Sequence, residues 1–159
     1  MASAKSYKIT LNNNNTEKEA VSFLIESNPS FIEPDIESRK EILKYFGLSS
    51  KYIRAFDLIQ VDGHNNNEEE FILNNKDKIT LIEIKSTKKR LENNPYGFFF
   101  GATENEFSIA NRLGESYKFC FVCLHPESKS YKTLTAIELD NITKNKRIQY
   151  QINLQSKPL

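Results

Sequence analysis

Apolar residues recur along this chain with two different periods. In "TEKEAVSFLIES" Ala20, Val21, Leu24 and Ile25 fall at helical spacing. Thr16 and Glu19 fit a Thr-x-x-Glu capping box that would open this helix, and Asn28-Pro29 would stop it. A second helix is predicted after Pro34-Asp35, with Ile42, Leu43 and Phe46 on its apolar face and Gly47 as its stop. A third is predicted over "TENEFSIANRLG", where Thr103 and Glu106 repeat the capping box and Gly114 closes it. Strand-like runs are "YIRAFDLIQV", "FIL" paired with "KITLIEIKS", the apolar "YKFCFVCL", and two weaker ones at "YKTLTAIEL" and "RIQYQINL". Asn-rich pieces, among them the polar "DGHNNNEEE", read as loops between them. The order α-α-β-β-β-α-β-β-β predicts a mixed α/β domain with one central β-sheet.

One of these strands carries charge where apolar residues are expected. Side chains alternate along a strand, so Ile79, Leu81, Glu83 and Lys85 share one face of "ITLIEIKS". In "YIRAFDLIQV" the row Ile53, Ala55, Asp57, Ile59 and Val61 contains Asp57 as its only charge. A buried charge is costly unless it is paired or coordinated. If the two strands are neighbours with these faces aligned, two carboxylates and a lysine converge. Two carboxylates suit Mg²⁺, which keeps waters at its remaining positions. Such a metal lowers the pKa of a bound water and neutralises phosphate charge, and a nearby lysine can orient or deprotonate that water. The competing reading is an ion pair on a solvated sheet face.

"FDLIQV" followed by "LIEIKST" resembles the PD-(D/E)xK nuclease superfamily, the core of most restriction endonucleases. The resemblance implies a restriction-endonuclease-like mixed central β-sheet flanked by helices. It also implies Asp57 and Glu83 as metal ligands, Lys85 as the catalytic lysine, and Mg²⁺ as cofactor with Mn²⁺ as a substitute. Family members often add a Glu from an early helix, and Glu19 stands at the matching position. Its competing role is the capping box with Thr16. "TENEFSIANRL…YKFCFVCL" is similar to the nuclease-like domain of NO VEIN proteins, in which Glu106 would be the Glu of the helix that follows the motif. The match spans the middle half of the chain and the first helix, and its motif is short. Phe56 replaces the proline that often precedes the Asp. The literal Pro34-Asp35 pair lies far upstream and suits a helix start.

The activity implied is a Mg²⁺-dependent DNA endonuclease of restriction or defence type, leaving a 5′-phosphate and a 3′-hydroxyl, with RNA as an open second substrate. Two-strand cleavage implies a homodimer or a subunit of a larger complex. The alternative is a catalytically inactive nuclease-like module that binds nucleic acid or protein. Lys88, Lys89 and Arg90 follow the motif directly. They read either as grips on a phosphate backbone or as a solvated loop. The rings of "NNPYGFFFG" read as core or subunit contacts ahead of a base-stacking platform.

Composition narrows the remaining classes. With 159 residues, the chain has length for one domain over 1–159. A net charge of +1 excludes a surface coated in positive charge but leaves room for a local basic patch. No apolar run approaches the roughly 20 residues of a membrane helix, and the start "MASAKSYKIT" lacks the apolar segment of a secretory signal. Two cysteines make no disulfide framework, which favours a reduced, cytoplasmic setting. Cys120 and Cys123 lie three apart on a strand, so their thiols face opposite ways and cannot share a zinc. His64 and His125 are isolated. Glu127-Ser128-Lys129 repeats Glu-x-Lys outside any apolar strand.

Overall fold

A computed structural model of the chain describes residues 4–61 and 69–158. Helix α1 (Ala4–Ser27) leads into a two-residue strand β1 (Phe31–Ile32), then helix α2 (Ile36–Tyr45) and strand β2 (Leu58–Val61). Helix α3 (Glu69–Asn74) precedes the longest strand, β3 (Ile79–Thr87). Helix α4 (Glu104–Leu113) crosses to β4 (Tyr117–Cys123), and β5 (Ser130–Leu134) and α5 (Ala136–Ile142) follow. The sheet is five-stranded in sequence order, with β3 and β4 parallel and every other neighbour antiparallel. The protein is therefore a mixed α/β fold, its mixed sheet flanked by helices.

Both sheet faces are covered. On one, Ile59, Val61, Leu81, Tyr117, Phe119 and Phe121 pack with Ile42 and Leu43 of α2, Ile109 of α4 and Leu139 of α5. On the other, Leu58, Ile82, Ile84, Cys120 and Val122 meet Ala20 and Leu24 of α1. Burial on both faces explains why β3 and β4 read as nearly continuous apolar runs. No helix among the described residues is long and apolar enough to cross a membrane.

Three predicted helices exist, and their caps explain two of their starts. The Asp35 side chain accepts from Ser38 N to open α2, while Gly47, at φ 69°, takes the left-handed backbone just beyond its end. Thr103 and Glu106 form the complete box that opens α4. The first helix corrects the sequence reading. It already runs from Ala4, so Thr16 and Glu19 lie inside it rather than at its start. Asn12 to Asn15 resemble a loop by composition, yet no Gly or Pro interrupts them, and Asn costs a helix only about 0.7 kcal/mol relative to Ala.

The strands differ more. "YIRAFDLIQV" is extended only from Leu58, because Ser49 caps a short 3₁₀ turn over Ser50–Tyr52. "FIL" belongs to α3, where Ile72 joins the core, and three preceding glutamates suit a helix N-terminus. β1 carried no periodic signal at two residues. "YKTLTAIEL" splits at Thr135, which forms a capping box with Glu138 and starts α5. "RIQYQINL" forms neither helix nor paired strand. Its alternating Ile148, Tyr150, Ile152 and Leu154 are 79–85% exposed. The loop around His64 lies outside the described residues.

Candidate active site

The parallel pair β3–β4 ends beside the start of β2, and the charged residues of interest gather there. Asp57 is the residue just before β2. Its N–H donates to Ile82 O at 2.8 Å and its Oδ2 accepts from Ile84 N at 2.7 Å, so backbone and side chain are both fixed to β3. The β2–β3 ladder ends at Leu58 opposite Ile82, and Asp57 lies just beyond that end, beside Glu83. Their carboxyl groups stand within hydrogen-bonding reach of one another.

Glu83 is 7% exposed, and its Oε1 has no hydrogen-bond donor. Burial, then the contact and charge of Asp57, then Glu106 push its carboxyl up to about 10, against the pull of Lys85. Were both ionised, two acceptor-only groups would face each other, so the pair holds together only with a shared proton or a cation. Lys85 Nζ lies 3.6 Å from Glu83 Oε2 and donates to Glu106 Oε1 at 2.5 Å. The other oxygen of Glu106 accepts from Thr103 N at 3.3 Å and Thr103 Oγ1 at 2.9 Å. The capping box of α4 thus anchors Lys85 as well as the helix.

The sequence reading missed two members of the cluster. Burial and then the charge of Asp57 raise the carboxyl of Glu17 on α1, while Lys85 lowers it, so Glu17 is the helical acid that senses the site. Glu19 instead pairs with Lys88 Nζ at 3.8 Å and is half exposed. Residues two apart on a helix lie about 200° apart around its axis, which separates the two glutamates. The second is Arg39 of α2. Its guanidinium donates to Pro34 O at 3.2 Å and to Phe56 O and Asp57 O at 2.7 Å each, and lies 4.9 Å from the Phe56 ring centre. Burial lowers the pKa of Arg39, and Asp57, Glu33 and Glu83 oppose that.

Tyr117 completes the floor, its hydroxyl donating to Ala55 O at 2.5 Å. Burial first, then Glu83, Glu106 and Asp57, push the Tyr117 phenol far upward. The motif's basic extension is partly neutralised. Arg90 pairs with Glu92 at 3.0 Å and Glu127 at 2.9 Å, Lys88 with Glu19, and Lys89 is exposed. Cys120 sits among the apolar residues under α1, whereas Cys123 Sγ contacts Lys89 O and Ser128 Oγ.

Four carboxylates (Glu17, Asp57, Glu83, Glu106) thus share a neighbourhood with two cations, Lys85 and Arg39. The excess of negative charge and the orphaned Glu83 oxygen suit a hard divalent cation held by Asp57 and Glu83, with water at its other positions. Among the described residues no group of three or more His, Cys, Asp or Glu stands in an arrangement that could hold a metal by itself. Mg²⁺ does not require one, since it commonly takes one or two protein carboxylates. Comparison of the chain with protein-family models, with curated proteins and with solved structures returned no match.

Proposed function

We propose that this protein is a Mg²⁺-dependent endonuclease that hydrolyses phosphodiester bonds, with DNA as substrate and RNA as the second class to test. The observation that carries the reading is the buried Glu83 oxygen without a donor, set against the Asp57 carboxyl and beside Lys85. A structural ion pair would satisfy that oxygen. A site that receives a cation from solvent leaves it open.

Asp57 and Glu83 would hold the metal. When bound, Mg²⁺ supplies a coordinated water of lowered pKa and offsets charge on the phosphate. Lys85, fixed by Glu106, stands where it can orient a water and stabilise negative charge on the phosphoryl oxygens. Arg39 holds the backbone of Asp57 in place, and Thr103 holds Glu106. Water adds to phosphorus, the 3′-oxygen leaves with a proton, and the product carries a 5′-phosphate. Exposed Lys89 and its neighbour Lys88 would meet the backbone. Work on both strands of a duplex would take a homodimer or a larger complex. Two free, buried cysteines suit a cytoplasmic, reduced setting.

One observation favours a catalytically inactive nucleic-acid-binding or protein-interaction module: two of the three basic residues after the motif, Lys88 and Arg90, are already paired with Glu19, Glu92 and Glu127. Cleavage decides between the two. Wild type and Lys85→Ala are incubated with plasmid DNA, with single-stranded DNA and with RNA in Mg²⁺, Mn²⁺ or EDTA. The nuclease reading expects metal-dependent cleavage by wild type. It expects a loss of at least 100-fold in Lys85→Ala, on the order of a general acid–base contribution, with nucleic-acid binding retained. Intact substrate in both metals, with candidate partner chains added, sinks it.

A further inference from the structure

Between β3 and α4 runs the loop "NNPYGFFFG", whose three consecutive phenylalanines behave differently. Phe98 and Phe100 set their rings edge-on to Phe121, at 5.1 and 5.0 Å between centres. Phe121 is the register partner of Lys85 on β4. The two anchored rings therefore fix the loop beside the lysine of the site. Between them Phe99 is 96% exposed, and Tyr96 in the same loop is 63% exposed. The rest of the loop shows that its rings can be packed. Phe99 is turned to solvent by the packing of both of its neighbours.

A lone apolar ring held in water between two packed neighbours has a use where the ligand offers flat apolar faces and the surroundings offer cations. Lys88 and Lys89 lie on the segment that leads into this loop from β3, and both are exposed. A nucleic acid presents that combination of phosphate charge and base faces. A duplex hides those faces in its stack, whereas an unpaired base shows them. We infer that Phe99 stacks on an unpaired base next to the scissile phosphate, so that the substrate is single-stranded, or locally opened, at the cleavage position. The inference rests on the nuclease reading and adds to it the state of the strand being cut.

The chain contains no tryptophan, so Phe99→Trp installs a unique fluorophore at the exposed position. Binding of a fluorescein-labelled oligonucleotide, read by anisotropy, is followed beside the tryptophan emission, with single-stranded and fully paired DNA and RNA. The expected result is quenching of the tryptophan on binding of the single strand and much less with the duplex. Phe99→Ala is expected to weaken single-strand binding by roughly 5- to 150-fold, the range for one lost base–aromatic stack, while Phe99→Tyr retains it. An unchanged melting temperature in Phe99→Ala shows that the effect is not one of folding. Binding without quenching overturns the stacking role alone and leaves the nuclease reading standing. A spectral change that follows protein concentration in the absence of nucleic acid assigns the ring to a second copy of the chain and also overturns it. If neither wild type nor variant binds any oligonucleotide, both readings fall together.

Discussion

Replacing Glu83 by glutamine tests the site through stability and activity at once, because the two are predicted to move in opposite directions. In the metal-free protein the folded state holds the Glu83 carboxyl up to about 10, against an ordinary value of 4.5. At pH 7 folding must therefore place a proton on a group that the unfolded chain keeps ionised. The gap of about 2.5 pH units, at about 1.36 kcal/mol each, amounts to roughly 3 kcal/mol. Glutamine has nearly the same shape, carries no charge, and can donate its amide N–H to Asp57. It gives up only the Lys85 contact at 3.6 Å, so metal-free Glu83→Gln should be more stable by up to about 3 kcal/mol. For a domain of this size that is a rise of roughly 6–12 °C in melting temperature. The sign also sets the pH window. A raised carboxyl leaves stability intact below about pH 4.5 and erodes it as pH climbs towards about 10. The advantage of the variant should thus vanish near pH 4 and widen with pH. Added Mn²⁺ should raise the melting temperature of wild type, by binding the native state alone, and leave Glu83→Gln unmoved and unable to cleave. Thermal melts in EDTA and in Mn²⁺ from pH 4 to pH 8 make the measurement. A metal-free variant that melts below wild type at pH 8 would refute the reasoning, because Glu83 would then be a satisfied structural partner.

Metal binding should release close to one proton near pH 7, since Glu83 must ionise to coordinate. Mn²⁺ affinity should accordingly rise by about tenfold per pH unit between roughly pH 5 and pH 9; calorimetry in buffers of different ionisation heat reads this, and a pH-independent affinity contradicts it. Glu17→Gln should weaken Mn²⁺ binding several-fold by removing a carboxylate from the cluster, while Glu19→Gln should leave it within about twofold. Equal effects from the two would mean that Glu17 does not act on the site.

The strand half of the site was legible because one rule found it: a charge interrupting an apolar row at period two picks out Glu83 and Asp57. The alternation argument worked for Asp57 only from that residue onward, since Ser49 to Tyr52 coil into a turn. The same rule at helical spacing would have found the missed residues. Glu17 precedes buried Ala20 and Leu24 by three and seven positions, and Arg39 precedes buried Ile42 and Leu43 by three and four. Each is a charge in an apolar stripe. Glu19 drew the eye through a capping signal that has no helix start to cap. The Thr135–Glu138 box carried the same signal and does start a helix, so the motif alone does not tell the cases apart. What decides is whether the preceding residues can continue the helix, and Asn12 to Asn15 do. Arg39's partners are main-chain carbonyls at Pro34, Phe56 and Asp57, and only the folded backbone brings those together.

The unpaired segment beyond α5 has a consequence for the protein outside any active site. From Ile148 to Leu154 it holds neither Pro, Gly nor a charged residue, and its four large apolar side chains alternate with polar ones along the sequence and face water. Short stretches of that kind stack into cross-β fibrils when copies meet. Lys144, Lys146 and Arg147 on one flank, with Lys157 and Pro158 on the other, are the gatekeepers that natural sequences place around such stretches. Their protection is electrostatic in the main, and screening shortens to about 3 Å at 1 M salt. Colloidal behaviour should therefore worsen in concentrated salt, with a shorter lag in thioflavin fluorescence. A chain shortened after Thr143 should lose that salt sensitivity while keeping every residue of the carboxylate cluster.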